Sequence, residues 1–284
     1  MVDIRPLMDT VLSHLDDASL ARFYSGLSRK GLDRMFLERP DSRLNLPIRF
    51  GVSSEVSNRE ISPSLFHYLG CNDFVVDSNQ GIESLKDRLS KVTDFHGLLK
   101  RNGVNGQRTI VEIDSVVGDM RYCENGEKFV DDFSYQGRLV RELNDFPNIY
   151  SLGFSSLSGK EDLGDLVERN FGYLVTSKRS DEGIYVDVRG MDIDELRLVT
   201  EVGEQYGIRG VVVGDNGDYR EILRELQPHI ANPDIDVYVA GVKSAEEAMR
   251  YLSIGSDGLR GVNGVWMYTL NPREFSKLND LYNR

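Results

Sequence analysis

The amino-acid sequence predicts an α/β protein: a (β/α)8 TIM barrel over residues 41–284 behind a short N-terminal helical extension over residues 1–40. Three observations point there. From Pro47 onward, eight short β-branched runs alternate with helical patterns. The segment Ile235–Tyr268, IDVYVAGVKSAEEAMRYLSIGSDGLRGVNGVWMY, reads as strand, helix and strand with a glycine at each turn, a right-handed βαβ unit. A chain of 284 residues is long enough for one such barrel, as it is for two ordinary domains, and the run of eight strand-to-helix steps favours the barrel.

In the extension, Ile4, Leu7, Met8, Val11, Leu12 and Leu15 make an amphipathic stripe. Asp16 and Asp17 are placed to cap a second helix through Leu20, Phe23 and Leu27, which breaks at Lys30-Gly31. Strands are expected at Ile48–Val52, Phe74–Asp77, Thr109–Asp114, Tyr150–Phe154, Ile184–Val188, Gly210–Val213, Val237–Ala240 and Leu259–Val262. Helices are expected at Pro63–Leu69 with Ser62 as cap, Lys128–Asn144, Lys160–Ser177, Asp192–Tyr206, Asp218–Leu226, Ala245–Ser253 and Pro272–Leu281. Within these, Ile193, Leu196, Val199 and Val202 share a face, and Ser244 with Glu247 forms a capping box. Ser78–Arg108 shows no helical pattern and reads as a long loop or lid.

Composition narrows the function classes. The net charge of −12 is spread along the chain and disfavours nucleic acid or an anionic membrane surface as a general partner. No apolar run approaches the roughly 20 residues that span a bilayer. With no signal or transit pattern, a cytoplasmic protein is the expectation, with peripheral membrane contact through residues 4–38 as the variant. Cys71 and Cys123 stand apart from any His or Cys at ligand spacing and read as buried thiols.

Barrel sites gather where strands end. The residues expected there are Ser53, Ser54, Ser78, Asn79, Asp114, Ser115, Ser155, Ser156, Arg189, Gly214, Asp215, Gly241, Asn263 and Gly264, a hydroxyl-rich and acidic rim. Gly241 and the Gly261–Gly264 turn could offer backbone N–H groups to a phosphate-bearing ligand. Tight β-to-α corners explain the same glycines equally well. Ser156 has no histidine at a strand end to act as its base. Asp114, Asp187 and Asp215 could converge on a hard cation, but their spacing specifies no coordination, and no metal site is assigned. Lysine is absent from every expected strand and strand end, which argues against Schiff-base chemistry.

Beside this reading stands a resemblance that spans almost the whole chain, carried by the order of features more than by any one motif. LDDASLARFYSGLSRKGLDRMF and LPIRFGVSSEV resemble the second extension helix and first barrel strand of the dihydroorotate dehydrogenases, in the quinone-dependent class with an N-terminal helical extension. HGLLKRNGVNGQ is similar to that family's G-L-x-N-R-x-G-F-N-N loop, and IYSLGFSSLSGKEDL to its N-x-S-S-P-N-T-x-G-L stretch. VYVAGVKSAEEAMRYLSIGSDGLRGVNG resembles the close of its barrel. The resemblance implies FMN in the barrel mouth and a serine base that deprotonates dihydroorotate as hydride passes to flavin N5. It implies Ser156 as that base, Asn105 as a substrate-binding asparagine, and Gly241, Asn263 and Gly264 around the flavin phosphate.

Other positions depart from the family. The flavin-contacting lysine of the fifth strand falls at Asp187, and the lysine after the first strand at Val56. Asparagines are replaced at Asp114, Gly153 and Ser158, and another at Asp215 unless the register slips to Asn216. A buried aspartate beside an anionic cofactor turns attraction into repulsion. Two expectations stay open. The chain is either a degenerate relative, now a non-redox binding or structural protein with a small-molecule or protein partner, or an active but divergent FMN-dependent enzyme of pyrimidine biosynthesis. Metal-assisted chemistry on the acidic mouth is a third.

Overall fold

The computed structural model describes residues 10–29, 49–57, 62–79, 81–116, 133–146, 149–179, 181–214, 219–226, 228, 230, 232–253 and 261–282. Eight strands, β1 (Arg49–Val52), β2 (Asp73–Asp77), β3 (Arg108–Asp114), β4 (Ile149–Gly153), β5 (Gly183–Asp187), β6 (Gly210–Gly214), β7 (Asp236–Val242) and β8 (Gly264–Met267), are hydrogen bonded in chain order into a closed barrel. Parallel ladders join β1 to β2 and β8, and β4 to β3 and β5. The helices are α1 (Asp17–Arg29), α2 (Pro63–Leu69), α3 (Ile82–Arg101), α4 (Phe133–Glu142), α5 (Leu163–Ser177), α6 (Ile193–Gln205), α7 (Tyr219–Leu226), α8 (Ala245–Leu252) and α9 (Pro272–Tyr282). The predicted (β/α)8 barrel is the observed one. Its strands are buried on both faces, every residue of β5 and β6 included, as a parallel sheet covered by helices requires.

Two expectations about elements are corrected. Ser78–Arg108 is not a long loop, because α3 occupies most of it. Leu85, Leu89, Val92 and Leu99 recur at helical spacing and are all buried, and this sparse stripe is enough to fix 20 residues of helix. Of the expected last strand Leu259–Val262, residues 259 and 260 lie outside the described residues and Gly261 and Val262 are not in a strand; the last strand observed is Gly264–Met267, where Trp266 is fully buried. A strand buried on both faces carries no alternation, so its register could not be read from the short run Leu259–Val262.

By compactness the chain divides into two units: 1–76, 94–108 and 239–284, and 77–93 with 109–238. In the first, α1 buries Leu20, Ala21 and Tyr24, and its two leading aspartates divide the labour. Asp16 accepts the Ser19 amide at 2.6 Å and caps the helix, a bond that holds its carboxyl below the usual carboxylate range. Asp17 turns away and accepts from Thr269 Oγ1 (2.9 Å) and the Leu270 amide (2.7 Å), tying the helix to the chain just past β8. Within this unit Asp73, at the start of β2, is buried and bidentate to Arg108, Nε at 2.9 Å and Nη2 at 2.8 Å. In the second unit Tyr150 turns outward, its hydroxyl donating to the Val140 carbonyl of α4 at 3.4 Å. Its neighbours Ser151 and Gly153 therefore face inward. Of the membrane expectation, residues 4–9 and 30–38 lie outside the described residues, and among those described no helix is long and apolar enough to cross a membrane.

Candidate functional site

The second unit gathers charge at the carboxyl ends of β3, β4 and β5. Glu112 faces inward from β3, two residues before its end, and Asp187 ends β5. Arg189 folds back over both. Its Nε donates to the two Asp187 oxygens at 2.9 and 2.8 Å, and its Nη2 to Asp187 Oδ2 at 2.5 Å and to Glu112 Oε1 at 2.8 Å. The fold-back is built by the backbone: the Arg189 amide bonds Asp187 Oδ1 at 3.1 Å, and Gly190 follows with φ 78°, a conformation that side chains resist. Among the described residues two carboxylates share the Arg189 guanidinium. Asp114, exposed at the end of β3, adds a third carboxylate and takes one bond from Asn79 Nδ2 at 3.2 Å.

The loops around this cluster are pinned from behind. Asn170 of α5, fully buried, accepts the Val116 amide and donates to the Val116 carbonyl, each at 2.9 Å, and so fixes the turn that carries Ser115. Ser115 in turn meets Ser156, with the two hydroxyls 3.1 Å apart and Ser156 Oγ also donating to the Ser115 carbonyl at 3.1 Å. Glu195 does double duty. It closes the capping box of α6 with Asp192, and it accepts from Ser158 Oγ (2.7 Å) and the Gly159 amide (2.6 Å) of the loop after β4.

The residues singled out from the sequence are spread over different strand ends. Ser156 is exposed in a 3-10 turn, Ser155–Leu157, at the carboxyl end of β4, where the sequence puts it. No basic side chain is hydrogen bonded to it among the described residues. Gly241 lies inside β7 with φ 89°, one residue from its carboxyl end. Asn263 and Gly264 stand at the amino end of β8: Gly264 begins the strand beside Arg49 of β1, and the Asn263 carbonyl accepts the Arg49 amide at 2.9 Å. The shift of the last strand is what moves them from the expected mouth. Asn105 is exposed in the turn ahead of β3, again at an amino end. Asp215 lies outside the described residues. Because β7 runs to Val242, Lys243 follows it directly and is exposed, so the absence of lysine from strand ends does not hold.

Reasoning from sequence missed Glu112, Ser151 and Asn170. Glu112 had a signal: Arg108, Ile110, Glu112 and Asp114 alternate along β3, and a charge amid a buried strand faces the barrel interior.

These residues do not fit an FMN. Where the resemblance sets a flavin-contacting lysine stands Asp187, and Arg189 beside it is bound by two carboxylates. An anionic cofactor there meets a buried carboxylate in place of a cation.

In fold the chain is similar to DHODH, dihydroorotate dehydrogenase, from Eimeria tenella, whose crystal structure contains ferulenol, with a TM-score of 0.61 at 12% identity over 92% of this chain and 91% of that one. It is also similar to deoxyribose phosphate aldolase from Aeropyrum pernix, with a TM-score of 0.51 at 13% identity over 88% of this chain and 96% of that one. Likeness at such identities is one of fold: the chain is a TIM barrel, an architecture shared by enzymes of unlike chemistry. No protein-family model and no curated protein sequence matches the chain.

Proposed function

We propose that the chain is a divergent relative of the dihydroorotate dehydrogenase barrel that has given up FMN and holds a small molecule at its mouth without redox chemistry. One observation carries the reading: Asp187, buried and locked to Arg189, which is itself bound to Glu112, in the place of a flavin-contacting lysine. The likeness of fold along nearly the full length of both chains supports the ancestry. Loss of the flavin follows from charge, since a buried aspartate repels the anionic ring of a reduced flavin where a lysine would attract it.

The test is the colour of the purified protein. The expected result is a colourless protein that takes up no FMN when dialysed against an excess of it and reduces no quinone with dihydroorotate. A flavin absorbance band that survives gel filtration would overturn the reading. It would favour instead an active FMN-dependent enzyme, whose support is Ser156 exposed beside Ser115 at the end of β4. In that case Ser156→Ala would abolish dihydroorotate oxidation while leaving the flavin bound.

A further inference from the structure

We propose that Asn105 is a site of spontaneous covalent modification: in the folded chain the backbone nitrogen of Gly106 attacks its side-chain amide and converts it, through a cyclic imide, to aspartate and isoaspartate. The barrel mouth takes no part. Base removes the Gly106 amide proton, the nitrogen bonds to Asn105 Cγ, and the Cγ–Nδ2 bond breaks with release of ammonia. Water then opens the imide at one carbonyl or the other, which restores the main chain as aspartate or reroutes it through the side chain as isoaspartate. Nothing is oxidised or reduced. Asparagine is among the thermolabile residue types, and a following glycine lets the ring close because no Cβ crowds the attacking nitrogen.

Three Asn-Gly pairs lie among the described residues, and the fold treats them differently. Asn102-Gly103 closes α3, where the Gly103 amide donates to the Lys100 carbonyl at 3.1 Å. That nitrogen must give up its bond before it can attack. Asn263-Gly264 leads into β8, and Gly264 is buried in the ladder beside Arg49. Asn105 and Gly106 are both exposed, between the end of α3 and the start of β3. The Gly106 amide donates to no group among the described residues. Gly106 holds φ 91°, and a Cβ built on it would meet nothing within 4 Å, so the ring has open space in which to close.

The turn is held on either side of this pair. The Val104 amide donates to the Leu99 carbonyl and the Arg108 amide to the Asn72 carbonyl, each at 2.9 Å. Arg49 Nη1 donates to the Gly106 carbonyl at 2.8 Å. These bonds fix the flanks and leave the two reacting groups, the Asn105 side chain and the Gly106 amide, facing water. Conversion adds a negative charge and, in the iso form, one further main-chain carbon directly ahead of the carbonyl that Arg49 holds.

The experiment holds the full chain in mildly alkaline buffer, once folded and once unfolded in urea, and samples both over days. Peptide mass spectrometry reads the gain of one mass unit per amide lost, and fragment ions separate Asn102 from Asn105. Labelling with an isoaspartate methyltransferase identifies the iso product. In the folded chain Asn105 is expected to convert about tenfold faster than Asn102 or Asn263, since the Gly103 amide is tied and Gly264 is buried. In urea the three rates should draw together, because all are Asn-Gly pairs and only the fold tells them apart. Conversion of Asn102 or Asn263 as fast as Asn105 in the folded chain would overturn the proposal. So would a folded chain in which Asn105 converts about tenfold more slowly than it does in urea, since the turn would then be protecting it.

Discussion

Arg189 Nη2 donates to Glu112 Oε1 at 2.8 Å, so a guanidinium rooted just beyond β5 closes onto a carboxylate of β3 with β4 between them. Because Arg189 also holds Asp187 through two nitrogens, one side chain ties together two of the carboxylates that the sequence concentrates at these strand ends. The same contact commits the cation that an anionic ligand would need.

Replacing that arginine tests its structural weight. Arg189→Leu removes the guanidinium that pairs with Glu112 and Asp187, both largely buried, and removing one side of a buried ion pair costs about 3 to 5 kcal/mol. Urea unfolding should show a midpoint shift of that order with an unchanged slope. In Arg189→Leu combined with Glu112→Gln part of the loss should return, since one of the two carboxylates that lost Arg189 is now neutral.

At the amino ends of the strands, Asp73 is the corresponding keystone. It is buried, bidentate to Arg108, and 3.5 Å from both Arg49 Nη1 and Trp266 Nε1. Asp73→Ala should cost about 3 to 5 kcal/mol by removing the buried side of the bidentate pair with Arg108. Arg49→Ala should cost about 1 kcal/mol, because Arg49 is 30% exposed and its pairing with Asp73 is long. Equal losses in the two variants, measured by chemical denaturation, would show that the pairing with Arg108 does not dominate.

Gly210 opens β6 against an aromatic ring. A Cβ there would fall 2.9 Å from Tyr185, whose ring stacks on Tyr238 at a centroid distance of 5.3 Å. Gly210→Ala should therefore lower stability by about 1 to 3 kcal/mol through overpacking. Tyr185→Leu in the same chain should recover part of that, and a thermal melt of the three variants reads both effects.

How much of this was legible follows from how each element is buried. The alternation of strands and helices announced the barrel, because short β-branched runs and capped amphipathic helices carry local signals: Ser62 and Ser244 do cap α2 and α8. β8 was misplaced because GVWM, buried on both faces, has no period to read, and the error carried Asn263 and Gly264 to the wrong end of the strand. Helix α3 was passed over because its apolar positions are sparse among charges such as Lys86, Asp87 and Arg88. The site was half visible. Asp187, Asp114 and Arg189 fall at strand ends by counting, but Glu112 closes on Arg189 only once β3 and β5 flank β4, a relation of 77 residues along the chain that no local pattern encodes.

The histidine of α3 supplies a pH test. His96 is held to a pKa of about 4, chiefly because burial strips water from its charged form and secondly because His67 is a like charge nearby. The imidazole is neutral in the folded chain down to that pH, while the unfolded chain takes up its proton near 6.5. Above pH 6.5 both states are neutral and His96 contributes nothing to the pH dependence. As the pH falls from 6.5 to about 4 the unfolded state binds a proton that the folded state refuses, so stability drops through this window, by on the order of 3 kcal/mol, and levels off below it. Carboxylates titrate lower in the same range, so the informative quantity is the difference between the parent chain and His96→Phe. The variant should lose less stability than the parent between pH 7 and pH 4 in urea unfolding; parallel curves would mean that His96 does not resist protonation in the fold.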